Sequence, residues 1–203
     1  MNNKTENNET NSRAKTQKRD IKSSKTYSLV ITALFTALTA VFAQISIPIG
    51  PVPINFAIFG VFLAGGILGL KRGVISQLIF VLIGAVGVPV FSNFGGGIGK
   101  LMGPTGGYII GYIVAALIIG LVFMVFDKKY KKGNFCIKAL ISICAMTLGL
   151  IACYAFGTAW FVVSTGTPIL EALMLCVVPF LIGDVVKIAV ATIITVRLKN
   201  VVA

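Results

Sequence analysis

The chain has no histidine, and only six of its 203 residues are acidic. Without imidazole it lacks the side chain that ordinarily titrates near neutrality, and it lacks the commonest metal ligand. Its four cysteines (Cys136, Cys144, Cys153 and Cys176) have no Cys-x-x-Cys spacing. They read as packed thiols, so neither a metal site nor a cofactor is expected. No pair of carboxylates is placed for acid–base work, which argues against an enzyme. A phosphate-binding loop is missing as well. The run ending in Gly99-Lys100 has Phe94 where the first glycine belongs, and Leu101 where Ser or Thr should follow. Charge of both signs amounts to 12% of residues, about half the usual share.

What the chain has is apolar surface and glycine: 57% hydrophobic residues, 22 glycines and a mean hydropathy of +0.96. Eighteen Lys and Arg give a net charge of +12. In a soluble protein that balance suggests nucleic acid. Here the charges leave residues 26–70, 73–99, 101–126 and 139–170 free of them. A helix needs about 20 apolar residues to cross a bilayer, and these intervals supply them. A lipid bilayer, with no nucleic acid, is the expected partner.

Residues 1–25 hold seven basic and three acidic side chains, with Met1 and Ile21 the only strongly apolar ones. Such a segment cannot bury enough surface to order itself. It is expected to be a disordered basic cytoplasmic tail, followed by one membrane-embedded domain over residues 26–203. It does not resemble a signal peptide.

Prolines 48, 51 and 53 divide the first long interval, because proline removes a donor and breaks a helix. The pattern predicts spans near 27–47, 54–70, 74–91, 106–126 and 136–160. A sixth runs from Pro179 to Arg197, since proline is accepted in a first turn. Residues 168–177 then form a short helix on the outer face before the last span. The fold class is therefore an all-α membrane protein of six transmembrane helices. Alternate segments carry sixteen basic residues on one side and one on the other, with Lys187 within the membrane. The positive-inside rule places both termini in the cytoplasm of a multi-pass cell-membrane protein.

Ionisable groups at membrane depth are site candidates. Asp184 and Lys187 are three residues apart and share a helix face. Counted from Pro179, they lie about 8 and 12 Å below the outer edge. On the same side, the loop from Phe91 to Tyr108 holds Asn93, Phe94, Gly96, Gly97 and Lys100. Its glycines permit close backbone approach to a ligand. Asn93 both donates and accepts, while Phe94 and Tyr108 offer rings. Loop and charge pair would close over one pocket. Small residues recur at Ala33/Ala37, Thr36/Ala40, Gly65/Gly69 and Gly107/Gly111, spacings that bring helices close in lipid. They serve either packing within the chain or a partner surface. No internal repeat with broken helices marks a secondary transporter, and no continuous polar path marks a channel.

Four segments resemble the BioY family, the biotin-specific S components of energy-coupling-factor (ECF) transporters. They are Gly50-Pro-Val-Pro-Ile54, Gly84-Ala-Val-Gly-Val-Pro-Val-Phe91, the run through Gly103-Pro-Thr-Gly-Gly-Tyr108, and Pro179-Phe-Leu-Ile-Gly-Asp-Val-Val-Lys187. The resemblance covers nearly all of 26–200. It implies six helices and capture of biotin from outside. It also implies an energizing module of one transmembrane T protein and two ATPases. By motif, Ala33 and Ala37 fall on the T-protein docking face. Asp184 and Lys187 fall on the family's Asp-x-x-Lys pair, and Asn93 on its ligand-contacting Asn. Where the family commonly reads Pro-Ile-Thr-x-Gln, this chain has Pro53-Ile54-Asn55-Phe56-Ala57.

Biotin's chemistry sets the expected roles. Asp184 would accept from the ureido N–H groups, and Lys187 or Asn93 would donate to its carbonyl. Phe91, Phe94 or Tyr108 would cover the thioether ring, and Lys100 would take the carboxylate. The alternatives are an S component for a different small vitamin or a self-sufficient secondary transporter.

Overall fold

A computed structural model describes residues 24–47 and 52–202, with the side chains of 200–202 left aside. The tail up to residue 23 and the Gly50-Pro51 part of the first motif lie outside the described residues. Helix α1 spans Lys25–Gln44 and is followed by a two-residue strand β1, Ser46–Ile47. Strand β2, Ile54–Asn55, pairs antiparallel with it, Ser46 facing Asn55. Helix α2 covers Ala57–Leu63 and runs into a π-helical turn, Ala64–Leu68; α3 covers Gly69–Ala85. After a 3-10 turn at Ser92–Phe94 come the short α4 (Ile98–Met102), α5 (Gly106–Val125) and α6 (Asp127–Lys132). The chain ends with α7 (Phe135–Thr165), α8 (Ile169–Cys176) and α9 (Val178–Val202).

Five helical stretches among the described residues are long and apolar enough to cross a membrane, Ala57–Ala85 counting as one of 29 residues. That stretch is not straight. Gly69 has φ 76° and ψ −168°, outside any helix, and the chain folds back there. A Cβ on Gly73 would stand 2.9 Å from the Ala64 carbonyl oxygen, although nine residues of straight helix would separate them by about 13 Å. Thr39 of α1 accordingly touches both arms, at Gly60 and at Gln77. The π-turn just before the reversal leaves the Gly66 carbonyl for Lys199 of α9, whose Nζ donates to it at 2.6 Å while lying 3.8 Å over the Phe123 ring. Such turns release a backbone group from the regular ladder.

Other boundaries differ from the sequence reading for local reasons. Helix α3 stops at Ala85 rather than 91, because the Phe91 ring lies over Gly84, where a Cβ would be 2.1 Å from it. The Asn55 side chain takes the Ala57 N–H at 3.0 Å, so α2 starts after the hairpin rather than at Ile54. Helix α7 runs on to Thr165 and is closed by Gly166 at φ 70°, whose N–H reaches the Val162 carbonyl. This is a left-handed glycine stop with proline shortly after it. The glycine-rich loop contains the one-turn helix α4, which carries Lys100.

Helices α5 and α7 form the centre of the bundle. Gly107 and Gly111 meet Trp160 and Cys153, while Gly149 and Gly157 meet Ile119 and Tyr108. The Gly107/Gly111 spacing thus serves packing inside the chain. Ala33 and Ala37 are different: both are exposed on α1. With Ile75, Ile79 and Ile83 of α3 they line an open apolar groove of about 570 Å³. The buried seam between α1 and α3 is hydroxylic, with Thr36 Oγ1 donating to the Ser76 carbonyl at 3.0 Å. Polar groups away from water need such internal partners. Much of the outer surface is apolar; Leu29, Val163, Ile182 and Val185 are each more than 60% exposed.

The crossing at α3 and α5 is tight enough to test. A Cβ on Gly120 would stand 2.4 Å from the Leu70 backbone. Gly120→Val is expected to lower the melting temperature of the detergent-purified protein by several degrees, through about 1–3 kcal/mol of overpacking. Gly99→Ala, which meets nothing within 4 Å, is the control that should leave it unchanged.

Candidate functional site

Asp184 and Lys187 both point inward from α9, at 2% and 5% exposure, while Val185 and Val186 between them face outward. The three-residue spacing on a helix produces this division. Lys187 Nζ donates to Asp184 Oδ1 at 2.8 Å and to the Asn55 carbonyl at 2.7 Å, and it lies 5.1 Å over the Phe56 ring. The hydroxyl of Tyr154, from α7, donates to Asp184 Oδ2. Both carboxylate oxygens and the ammonium are thereby met by protein, as buried ions require. Asn55 is used throughout: its Nδ2 donates to Ser92 Oγ at 2.6 Å, while its Oδ1 holds Ala57 N–H.

These groups form one wall of a cavity of about 60 Å³. The opposite wall is aromatic. Phe80 and Phe91 meet edge to face at 5.5 Å, Tyr112 lies beside Phe80, Tyr108 completes it, and Phe180 lines the cavity one turn before Asp184 on α9. The Tyr108 hydroxyl is paired with Thr158 at 2.9 Å, so its ring is fixed. Phe80 also borders the α1–α3 groove, which makes it a wall common to both spaces. Half-buried Lys100 lies at the cavity without an ion pair among the described residues. Two ammonium groups against one carboxylate favour an anionic ligand.

Of the residues singled out from sequence, Phe91, Lys100, Tyr108, Asp184 and Lys187 line this cavity. Asn93, Phe94, Gly96 and Gly97 belong to the adjoining loop and do not line it. Asn93 is left-handed at φ 60°, and its Oδ1 accepts from Ser46 Oγ at 2.7 Å. Phe94 is 74% exposed. Gly96 lets the loop press on the preceding turn, where a Cβ would be 2.7 Å from the Val88 carbonyl oxygen. Gly97, at φ 88°, opens α4.

Asn55, Ser92, Tyr112 and Tyr154 also line the cavity and were not among the sequence candidates. Tyr108 and Tyr112 are four apart, so their shared face was readable. Tyr154 offered only its hydroxyl within a long apolar run. Because that hydroxyl orients Asp184, Tyr154→Phe is expected to weaken ligand binding by about tenfold or more, the usual scale for a hydrogen bond to a charged group. Titration calorimetry against wild type checks it, and unchanged affinity would show that the hydroxyl is dispensable.

Comparison with known proteins points one way. The model of the BioY family matches residues 12–203. Over 176 residues the chain is 42% identical to the probable biotin transporter BioY of Pyrococcus horikoshii, covering 87% of this chain and 98% of that protein. It is also 42% identical over 173 residues to the biotin transporter BioY of Thermotoga maritima, covering 85% and 95% respectively. Its fold matches the 2.1 Å crystal structure of the S-component for biotin from an ECF-type ABC transporter. The TM-score is 0.75 at 30% identity, covering 87% of this chain and 92% of that one. The family model spans nearly the whole chain, the relatives agree along most of their length, and the helical architecture coincides: the chain belongs to the BioY family.

Proposed function

We propose that the chain is the substrate-capture subunit of an ECF transporter, a non-enzymatic membrane protein whose cargo is biotin. The observation that carries this reading is the buried Asp184–Lys187 pair, held by Tyr154 and Asn55 on one wall of an otherwise aromatic cavity. Biotin presents two ureido N–H groups, one ureido carbonyl, an apolar thioether ring and a carboxylate on a flexible chain. Asp184 accepts from the N–H groups and Lys187 donates to the carbonyl. Phe91 and Tyr108 cover the ring. Lys100, at the end of the cavity nearest the loop, takes the carboxylate. Asn93, Phe94, Gly96 and Gly97 shape the loop that closes the site. A buried polar wall of this kind rejects analogues that leave its groups unmatched.

The fold-back at Gly69 divides Ala57–Ala85 into two arms, so we read the five stretches as six crossings. Both termini are cytoplasmic, as the distribution of basic residues requires, and α8 lies on the outer face. The basic tail anchors this orientation. Delivery inward needs energy that this chain does not itself supply. A T protein docking along Ala33 and Ala37, with two ATPases behind it, provides it.

Equilibrium biotin binding to the purified protein tests the reading directly. Sub-micromolar binding is expected, with uptake in cells only when the energizing module is present. Absence of binding below micromolar, or full uptake without the module, would overturn it.

A further inference from the structure

Gln44 is the last residue of α1, and its side chain reaches across to three main-chain groups of one loop. Its Nε2 donates to the carbonyls of Pro89 at 3.2 Å and Phe91 at 3.1 Å. Its Oε1 accepts from the Phe94 N–H at 2.9 Å. These partners are 45 to 50 residues away, so the amide is not finishing its own helix. It lies outside the set of residues lining the cavity.

The loop it holds has need of an external tie. Asn93 and Phe94 are successive non-glycine residues in the left-handed region, at φ 60° and 53°. Such backbone persists only where the surroundings over-determine it. Within the loop, Phe91 and Gly95 exchange two hydrogen bonds of 2.9 and 3.1 Å, closing a tight turn whose direction they do not set. From outside, Gln44 makes three bonds to its main chain, while Ser46 and Asn55 each reach one side chain of it. The same turn delivers Phe91 and Ser92 to the cavity, and Ser92 in turn receives the Asn55 side chain beside Lys187. Only a primary amide satisfies two acceptors and one donor at once. Glutamate keeps the acceptor and loses the donor; alanine loses both.

We infer that Gln44 is the positioning residue that holds the Pro89–Phe94 turn over the ligand cavity, governing how long a bound ligand stays. The inference rests on the biotin reading for its ligand, and on the geometry alone for the loop.

The test uses full-length protein in lipid nanodiscs, with Gln44→Ala and Gln44→Glu beside wild type. In Gln44→Ala, biotin dissociation measured by chase is expected to speed up about tenfold, with association changed less than about threefold, since such effects fall mainly on koff. Gln44→Glu should be at least as fast as Ala, because its second carboxylate oxygen faces the Pro89 and Phe91 carbonyls with no proton to donate. In ligand-free protein, hydrogen exchange at the Phe94 and Gly95 amides of Gln44→Ala should also accelerate about tenfold, while α5 stays protected. Unchanged loop exchange would overturn the inference, as would equal acceleration in the loop and α5. If wild type does not bind biotin, the ligand assignment fails by itself, and the exchange comparison alone decides the role of Gln44.

Discussion

Asp184→Asn is expected to weaken biotin binding by about 100-fold or more, because breaking one side of a buried ion pair costs about 3–5 kcal/mol and each tenfold is about 1.4. The amide keeps the carboxylate's shape and removes its charge. Lys187 then loses its counter-charge and keeps only neutral partners, the Asn55 carbonyl, the amide oxygen and the Phe56 ring, for an ammonium that is 5% exposed. The Tyr154 hydroxyl loses an ionised acceptor, and the ligand's N–H groups face a weaker one. Lys187→Ala should cost as much from the opposite side, leaving Asp184 with Tyr154 alone. Either single change also lowers stability, so the double variant Asp184→Asn/Lys187→Met separates the effects. Its cavity holds no buried charge from this pair, and replacing a buried pair by uncharged groups is often neutral or stabilising. It should therefore melt near wild type and still fail to bind. Calorimetric titration and a melting curve on the same samples measure both quantities. Wild-type affinity in folded single variants would remove this wall from the biotin site.

Ala37→Leu, alone or with Ala33→Leu, should reduce uptake by about tenfold or more while leaving biotin affinity within about twofold, because bulk at a small-residue face blocks close helix approach without touching the cavity. Both alanines are exposed and already open to the groove, so the added carbons displace nothing inside this chain. The split between transport and binding is the diagnostic readout. A joint loss would place the damage in the fold, and unchanged uptake would move the docking face elsewhere. Pull-down of the energizing module by the variant supplies an independent measurement.

Several features of this molecule were readable from residue order because lipid imposes a strong penalty. Charge-free intervals, prolines 48 to 53 and the three-residue spacing of Asp184 and Lys187 each carry large energies, and each left a visible mark. The four motifs pointed to the family that the comparisons bear out. Neutral polar groups leave no such mark. Asn55, Tyr154 and Gln44 are ordinary residues near helix ends or within spans, and their importance comes from partners 30 to 132 residues away. The β1–β2 hairpin was equally hidden, since two-residue strands are too short to show alternation. Gly69 was noted for its spacing to Gly65; its actual part is a turn, which only its backbone angles reveal.

The arm from Ala57 to Leu68 has twelve helical residues, a rise of about 18 Å, against a hydrocarbon core of about 30 Å. If this arm is a crossing of its own, as proposed above, irregular chain supplies the rest of it, and irregular backbone is tolerated at such depth only when covered by protein. The hairpin meets this condition through Phe56 N–H on the Ile45 carbonyl and Lys187 on the Asn55 carbonyl. The ligand cavity borders this stretch, with Val52, Pro53 and Asn55 among its lining. On the proposed reading, the room for a cargo molecule is made by truncating a helix rather than by spreading the bundle. On the same reading, a chain that extended α2 by two or three turns would gain a conventional span and fill the space that Val52, Pro53 and Asn55 line.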